Sequence, residues 1–355
     1  MTQKEELVLL YFDDKESKYI FNKRIEYNCT KDFKPIHDIV ERYVPMLSSY
    51  DYTPQKKSEL VSIIKSKSNV WIWGAGTRSE RLLTIDGCTI LGIVDIDCNK
   101  HGKYLMGTKI FGPNEVDFSR IDCLIISMCD ENAVNMAIDN AKTLGMNSEN
   151  ILVFNDFSSK TLEERQYFED FMCCHSGEVF VDAGALNLNT TMQFRKHCMK
   201  YGVTDSKVIA FEPDIISFEK MKKIINEKNI QDVEVINAGL YNTNTTLQFN
   251  LLGNGSSSIN ENGTTQINVV ALDSQVKEKV TFIKMDIEGA ELEALKGGRE
   301  TIVRYKPKLA ICVYHKPEDI VEIPLYIKKI VPEYKLYLRH YSNSTNETVL
   351  YAIIE

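Results

Sequence analysis

The sequence predicts an α/β fold in which two units, each built on a mostly parallel sheet, follow one another along the chain. A length of 355 residues suggests two domains with sizeable cores. From about position 70, short apolar runs alternate with helical stretches, which is typical of parallel α/β units. This alternation is interrupted once, by a polar segment at 158–175, and then resumes on a larger scale.

The composition argues against several classes of protein. Lys and Arg total 42 against 50 Asp and Glu, a net charge of −8, so a basic nucleic-acid footprint is absent. The apolar runs are far shorter than the roughly 20 residues that cross a bilayer, and the N-terminal run is too short for a signal peptide. Nine scattered cysteines without a C-x-x-C pair favour reduced thiols. We therefore expect a cytoplasmic protein without a membrane span or nucleic-acid partner.

Four segments are expected. Residues 1–66 form a mixed, helical extension, with helix-like spacing in 36–44 and 60–64. Residues 67–157 form the smaller unit, residues 158–175 a helical connector, and residues 176–355 the larger unit. In the smaller unit we expect a helix near 131–144 and strands at 70–73, 89–94, 123–127 and 151–153.

The larger unit is expected to contain a sheet that is mostly parallel and ends in an antiparallel hairpin. Strands are predicted at 179–182, 207–212, 233–240, 281–286, 308–314, 334–338 and 349–354. Helices are predicted at 190–200, 216–227, 290–303 and 319–330. The Gly-, Ser- and Asn-rich residues 246–263 indicate a mobile excursion, and the polar SNSTNE suits the turn of the terminal hairpin.

The smaller unit contains a glycine turn between a strand and a helix, in VWIWGAGTRSERLL. Gly74 and Gly76 would let a phosphate approach the backbone, and Asp95, which ends the next strand, could accept bonds from ribose hydroxyls. Ser79 replaces the third glycine of the dinucleotide pattern. Two interpretations stay open: a nucleotide or nucleotide-sugar site, or a Rossmann-like unit that kept the turn for packing alone. The unit resembles the small Rossmann-like domains appended to bacterial sugar-modifying enzymes.

Polar side chains end three successive strands of the larger unit. The first strand leads into a turn with Asp182, Gly184 and Ala185, the second ends in Glu212, and the third ends in Asn237. In open α/β sheets ligands bind at the carboxyl edge of the strands, so these residues are placed to line a pocket. A carboxylate at the second strand could bind both ribose hydroxyls of an adenosine-type ligand.

These strand ends, together with four longer segments, resemble the FkbM family of S-adenosylmethionine (SAM)-dependent methyltransferases over residues 176–355. The segments are AFEPD, the excursion with GSSSI, ALDSQV and IKMDIEGAELEALKGG. The resemblance implies a class I methyltransferase-type, seven-stranded sheet. The family's first motif usually continues with Asn and a second Gly, where this chain has Leu186 and Leu188. We therefore expect a narrower cofactor pocket or an altered turn.

Carried over by position, the resemblance implies a role for each strand end. Asp182, Gly184 and Ala185 would form the first cofactor loop, Glu212 would bind the ribose, and Asn237 would lie near the adenine.

The resemblance also implies that Asp286 faces the methionine end of the cofactor or the substrate. Methyl transfer to a hydroxyl needs no covalent protein nucleophile, but a base that removes the hydroxyl proton accelerates it. The candidates for this base are Asp286, Glu288 and His315. Capping of the helix at 290–303 is the alternative role for the two carboxylates.

Arg339 and His340 could bind a phosphate or sugar hydroxyl of the substrate, or pair with surface carboxylates. A metal site from His315, His340 and Asp286 is conceivable, but the residues are distant in sequence and no ligand spacing supports it, so we expect no required metal.

The sequence therefore predicts an O-methyltransferase that uses SAM on a hydroxyl of a sugar, glycan or nucleotide-linked carbohydrate. Two alternatives stay open: a nicotinamide-dependent sugar oxidoreductase or epimerase built on the first glycine turn, and a catalytically silent nucleotide-binding scaffold. The expected partner is a small-molecule or glycan substrate, and a homo-oligomer is compatible with the sequence.

Overall fold

The computed structural model describes residues 1–43, 61–83, 89–128, 131–154, 165–249, 265–342 and 345–354. The chain divides into two compact units. The smaller consists of Asn22–Leu162 and Tyr341–Asn346, and the larger of Met1–Phe21, Glu163–His340 and Glu347–Glu355. Among the described residues, no helix has the length and apolar character to cross a bilayer.

The N-terminal residues form three helices: α1 (Gln3–Leu10), α2 (Lys15–Thr30) and α3 (Lys34–Tyr43). Residues 61–65 are also helical. The first 21 residues belong to the larger unit because Phe12 forms a parallel bridge with Leu336, and the Ser17 hydroxyl accepts the Leu338 N–H at 2.8 Å. The sequence predicts domain boundaries after residues 66, 157 and 175, and these boundaries stay a prediction.

The smaller unit is built on a six-stranded sheet. Its strands are β1 (Val70–Trp73), β2 (Ile90–Val94), β3 (Tyr104–Leu105), β4 (Thr108–Phe111), β5 (Cys123–Ile126) and β6 (Ile151–Val153). Their order is β3-β4-β2-β1-β5-β6, and every pair is parallel except β3 with β4. Helices α4 (Thr77–Leu83) and α5 (Glu131–Thr143) follow β1 and β5. The four predicted strands are present, whereas β3 and β4 were not predicted.

The larger unit contains two sheets. The strands are β7 (Val179–Ala183), β8 (Lys207–Phe211), β9 (Val233–Ile236), β10 (Gly239–Leu240), β11 (Thr245–Phe249), β12 (Thr265–Val270), β13 (Phe282–Met285), β14 (Lys308–Cys312), β15 (Lys335–His340) and β16 (Thr348–Ile353). The main sheet has the order β15-β16-β14-β13-β7-β8-β9, and the second has β10-β12-β11. Only β16 runs antiparallel in the main sheet. This confirms the predicted seven-stranded sheet with an antiparallel terminal hairpin.

Six helices accompany the strands of the larger unit: α6 (Asn189–Lys200), α7 (Ile215–Glu227), α8 (Leu272–Gln275), α9 (Glu291–Gly297), α10 (Arg299–Tyr305) and α11 (Asp319–Ile330). One helix was predicted over 290–303, but two are present. Gly297 approaches Tyr241 so closely that a Cβ at this position would lie 1.9 Å from the Tyr241 carbonyl oxygen.

Three further predictions about local structure need correction. The single strand predicted at 233–240 is split, because β9 joins the main sheet while β10 pairs with β12. Residues 165–175 contain turns where a helical connector was predicted, and 158–164 lie outside the described residues. The predicted excursion at 246–263 begins inside strand β11, and its residues 250–263 lie outside the described part of the chain.

A buried ion pair links the two central strands of the main sheet. Asp182 on β7 and Lys284 on β13 occupy paired positions, with side chains 0% and 2% exposed and Nζ 3.1 Å from Oδ1. The Lys284 ammonium also donates to the carbonyl oxygens of Ala183 and Gly184, at 3.1 and 2.8 Å. Burial disfavours the charged amine, but Asp182 and Asp286 outweigh it and raise the pKa of Lys284.

Replacing only one member of this pair should destabilise the larger unit strongly. Lys284→Met leaves the Asp182 carboxylate buried without a counter-charge, and breaking a buried pair costs about 3–5 kcal/mol in the free energy of unfolding. The double variant Asp182→Asn/Lys284→Met should recover most of that loss, because no isolated charge remains. Urea unfolding measures both changes, with Lys296→Met on the surface as control. Equal stability of the single and double variants would contradict this account.

Candidate functional site

The turn after β7 is fixed against both neighbouring strands. The N–H groups of Gly184 and Ala185 donate to the Phe211 carbonyl oxygen at the end of β8, at 3.1 and 3.2 Å. Gly184 has φ +75°, and a Cβ built on it would lie 1.9 Å from the Asp286 carbonyl oxygen beyond β13. Only glycine combines this φ with so close an approach. The turn therefore brings the ends of β7, β8 and β13 together, as the sequence predicted for the carboxyl edge.

Glu212 lies at the end of β8 and is bonded to the same turn. Its Oε2 accepts the Leu186 N–H at 2.7 Å, and its Oε1 accepts the Asp214 N–H at 2.8 Å. The residue is 6% exposed, and burial raises the pKa of Glu212 despite these two backbone hydrogen bonds. A carboxylate offers about four acceptor sites, so each oxygen retains capacity for one ligand hydroxyl.

The two leucines that depart from the family motif take different positions. Leu186 adopts φ +45° and is 42% exposed, so its side chain points into solvent while its N–H reaches Glu212. Leu188 is buried and immediately precedes α6.

Asn237 lies just beyond β9 and donates its side-chain amide to two backbone carbonyls, those of Glu212 and Pro213, at 2.9 and 3.2 Å. These bonds fasten the end of β8 to the end of β9. A contact with adenine stays a prediction.

Asp286 follows β13 and receives hydrogen bonds from two tyrosines. Tyr167 donates to Oδ2 at 2.8 Å and Tyr314 to Oδ1 at 3.1 Å, while His315 Nε2 lies 3.4 Å from Oδ1. Burial alone would raise the pKa of Asp286. The positive charges of Lys284 and His315, with the two hydrogen bonds, outweigh burial and lower it. Asp286 is therefore ionised at neutral pH.

His315 lies among three carboxylates. Its Nδ1 is 2.9 Å from Glu291 Oε1, and its Nε2 is 3.4 Å from Asp286 Oδ1 and 3.7 Å from Glu288 Oε2. Burial opposes protonation, but Glu291 first, and then Asp286 and Glu288, outweigh burial and raise the pKa of His315 to about 9. The ring therefore carries a positive charge at neutral pH. Single ligand atoms of Asp286, Glu291 and His315 lie within 4.8 Å of one another, so these side chains could hold a metal ion.

The alternative in which Asp286 and Glu288 cap the following helix is wrong. The N-cap of α9 is Ala290, which has no side-chain cap bond, and it is Glu291 that accepts the Ile287 N–H at 2.9 Å. Glu288 instead adopts φ +54° beside His315, with 32% of its side chain exposed.

Sequence reasoning missed four side chains of this site: Tyr167, Lys284, Glu291 and Tyr314. Lys284 could have been found, because it lies two residues before Asp286 in the strand predicted at 281–286, and residues i and i+2 of a strand share a face. Tyr167 had no such signal, because it lies in the segment that was interpreted as a polar connector.

Arg339 and His340 have partners within the larger unit. Arg339 Nη1 donates to Asp14 Oδ1 at 3.2 Å and to Ser17 Oγ at 3.0 Å, and the His340 ring bonds the Thr348 hydroxyl at 2.8 Å. The Arg339 contacts attach the start of α2 to β15, and the His340 contact lies within the terminal hairpin. Substrate binding by the two residues stays a prediction.

The first glycine turn, in the smaller unit, is held by a hydrogen bond and an ion pair that Asp95 forms with neighbouring residues. Gly74 has φ +107°, and Gly76 precedes α4. Asp95 accepts the Ala75 N–H at 2.7 Å and pairs with the Lys100 ammonium at 3.0 Å. The carboxylate predicted to bind a ribose therefore already has a cationic partner. A nucleotide at this turn stays a prediction.

Two family models match separate parts of the chain. Residues 66–152 match the family described as C2185-like, N-terminal. Residues 182–337, which include every residue of the site from Asp182 to His315 but not Tyr167, match the methyltransferase FkbM domain. No curated protein matches the chain.

Solved structures resemble the fold. A methyltransferase FkbM from Methylobacillus flagellatus is 19% identical with a TM-score of 0.50, covering 91% of this chain and 98% of its own. An rRNA methylase from Streptococcus thermophilus and a SAM-dependent methyltransferase from Aquifex aeolicus are 18% and 16% identical, with TM-scores of 0.32 and 0.33. Each covers 54% of this chain and 93% of its own. At 19% identity, the first likeness concerns the fold alone.

The seven-stranded sheet, the glycine turn at its carboxyl edge and the match over residues 182–337 together identify the C-terminal part of this chain as a methyltransferase domain of the FkbM family.

Proposed function

We propose that the chain is an O-methyltransferase that transfers the methyl group of SAM to a hydroxyl of a sugar, glycan or nucleotide-linked carbohydrate. The observation that carries this proposal is the convergence of three strand ends. Gly184 lies against the backbone of Asp286. Two residues further along the same turn, the backbone N–H of Leu186 donates to the Glu212 carboxylate. An adenosine sugar at Glu212 and a reactive centre at Asp286 would then lie on either side of one turn.

Each part of the turn has a place in cofactor binding. Glu212 would accept the two ribose hydroxyls, since a carboxylate oxygen bonded once by a backbone N–H can accept a second donor. The backbone at Gly184 and Ala185 would pass beside the cofactor, with no side chain larger than a methyl group. Asp182 would act through Lys284, whose ammonium bonds the carbonyl oxygens of the turn.

The proposed chemistry is a displacement in which the hydroxyl oxygen would bond to the methyl carbon as the bond from that carbon to sulfur breaks, with S-adenosylhomocysteine as the leaving group. When bound, SAM supplies a methyl group on a cationic sulfur. The chain must hold the acceptor in line and remove the hydroxyl proton, steps that contribute through positioning and general base catalysis. Asp286 is the proposed base, because it is ionised and keeps its orientation through Tyr167 and Tyr314. His315, as a cation beside it, balances the carboxylate charges.

The class of methyl acceptor is proposed from the polarity of the site and from the resemblance of the smaller unit to other domains. Asp286 and Glu288 have side chains 23% and 32% exposed, so both hydrogen-bond acceptors are partly accessible to a ligand. A polyhydroxylated acceptor offers donors to both. The smaller unit resembles domains appended to sugar-modifying enzymes, which also favours a carbohydrate.

The variant Glu212→Gln should bind SAM about 10- to 100-fold more weakly. A hydrogen bond to a charged group contributes about 1.5–3 kcal/mol, and the amide can accept at only one of its two positions. Isothermal titration calorimetry with SAM measures the change. Glu234→Gln, at an exposed carboxylate on the adjacent strand β9, is the matched control and should bind as the native chain does. Unchanged affinity in Glu212→Gln would remove the ribose contact from the account.

The variant Asp286→Asn should lower the rate of methyl transfer about 10²–10⁴-fold, the usual contribution of a general base. Methyl-labelled SAM with a panel of nucleotide sugars and monosaccharide glycosides is the assay, and mass spectrometry locates the methyl group on the product. Asp139→Asn, on the exposed face of α5, should keep the native rate. Methyl transfer to nitrogen or carbon, with no labelled carbohydrate, would contradict the proposed acceptor.

A further inference from the structure

We propose that Asp286, Glu288 and the Nε2 atom of His315 bind one divalent transition-metal ion, and that Glu291 orients the histidine ring. The sequence predicts no required metal, because the candidate ligands His315, His340 and Asp286 are distant from one another along the chain. The inference adds a metal to the proposed function and does not depend on the identity of the methyl acceptor.

The distances around Nε2 suit a shared ligand. Nε2 lies 3.4 Å from Asp286 Oδ1 and 3.7 Å from Glu288 Oε2. Ligand atoms that each bind a metal at about 2.0–2.2 Å are separated by roughly 3.0–3.6 Å in tetrahedral or octahedral arrangements. Both separations are at or near the upper end of that range. Nε2 is therefore placed to share one ion with each of these carboxylates.

An independent observation concerns His315 itself. Its side chain is 9% exposed, and its Nε2 makes no hydrogen bond to any described residue. Asp286 and Glu288 lie close enough to Nε2 for charge attraction, at 3.4 and 3.7 Å. Buried polar atoms are normally bonded, so an enclosed Nε2 that lacks a hydrogen bond and faces two carboxylates indicates a ligand between them.

Glu291 decides which ring nitrogen faces the metal. Its carboxylate lies 2.9 Å from Nδ1, is completely buried and is fixed by the Ile287 N–H. A carboxylate on one ring nitrogen and a metal on the other is the usual arrangement of metal-binding histidines. Nε2 instead faces Asp286 and Glu288, whose partial exposure leaves a path for an ion to enter from solvent.

The donor set favours a particular class of ion. Two carboxylates and one imidazole suit Mn²⁺, Fe²⁺ or Zn²⁺, whereas Mg²⁺ and Ca²⁺ prefer oxygen ligands alone. Three protein ligands leave coordination positions open, where an acceptor hydroxyl could bind and lose its proton more easily.

Mn²⁺ is the probe of choice, because it has little affinity for the thiols of the nine cysteines. The full chain, treated with chelator and dialysed at pH 8, is titrated with Mn²⁺ while electron paramagnetic resonance follows the free ion. One equivalent should bind. Glu288→Gln and His315→Gln should each weaken binding at least 10-fold, and Glu291→Gln about 10- to 100-fold.

The matched control is Glu293→Gln, two residues after Glu291 in α9, where the carboxylate pairs with Lys296 instead. This variant should bind Mn²⁺ like the native chain. Glu288 is one-third exposed, so its replacement tests the site even if a His315 variant fails to fold.

Absence of bound Mn²⁺ at millimolar concentration, or binding that Glu288→Gln leaves unchanged, overturns the metal site. Calorimetry with SAM on the same metal-free sample separates the two proposals. SAM binding without Mn²⁺ binding rejects only the metal, whereas Mn²⁺ binding without SAM binding rejects the proposed function and keeps the metal site.

Discussion

The arrangement of this site depends on one close approach, between the α-carbon of Gly184 and the carbonyl oxygen of Asp286. No side chain fits between them, so the turn after β7 and the start of the segment after β13 are held at a fixed separation. The buried ammonium of Lys284 holds the same turn from inside the sheet, through two carbonyl oxygens and Asp182. The proposed cofactor loop and the proposed base therefore cannot move independently.

The charges around Asp286 are arranged so that most carboxylates have a nearby cation or hydrogen-bond donor. Lys284 lies below the turn, His315 lies between Asp286 and Glu291, and two tyrosines complete the surroundings of Asp286. Such prearranged charges are worth more in a partly buried site than in water, because little reorganisation is needed during the reaction. The carboxylates that raise the pKa of His315 would also attract a metal cation, which would displace the proton on Nε2, so the two proposals use one electrostatic feature.

Much of the fold and of the site could be predicted from the sequence, for identifiable reasons. Strands such as Val70–Trp73 and Ile151–Val153 are short apolar runs with polar boundaries, which mark a buried parallel strand. Polar residues at the ends of such strands meet at one edge, so Gly184, Glu212 and Asp286 could be grouped without coordinates. The parts that were missed depend on distant partners. The split between β9 and β10 is determined by pairing with Val269, and the role of Tyr167 depends on a carboxylate 119 residues away.

The central claim is that the turn at residues 182–186, Glu212 and Asp286 form one SAM site. A crystal structure of the full chain with S-adenosylhomocysteine tests it most directly. The account predicts both ribose hydroxyls within hydrogen-bond distance of Glu212 and the sulfur end directed toward Asp286. A ligand bound instead at the turn of Gly74 and Gly76, or one whose ribose does not contact Glu212, would contradict the account.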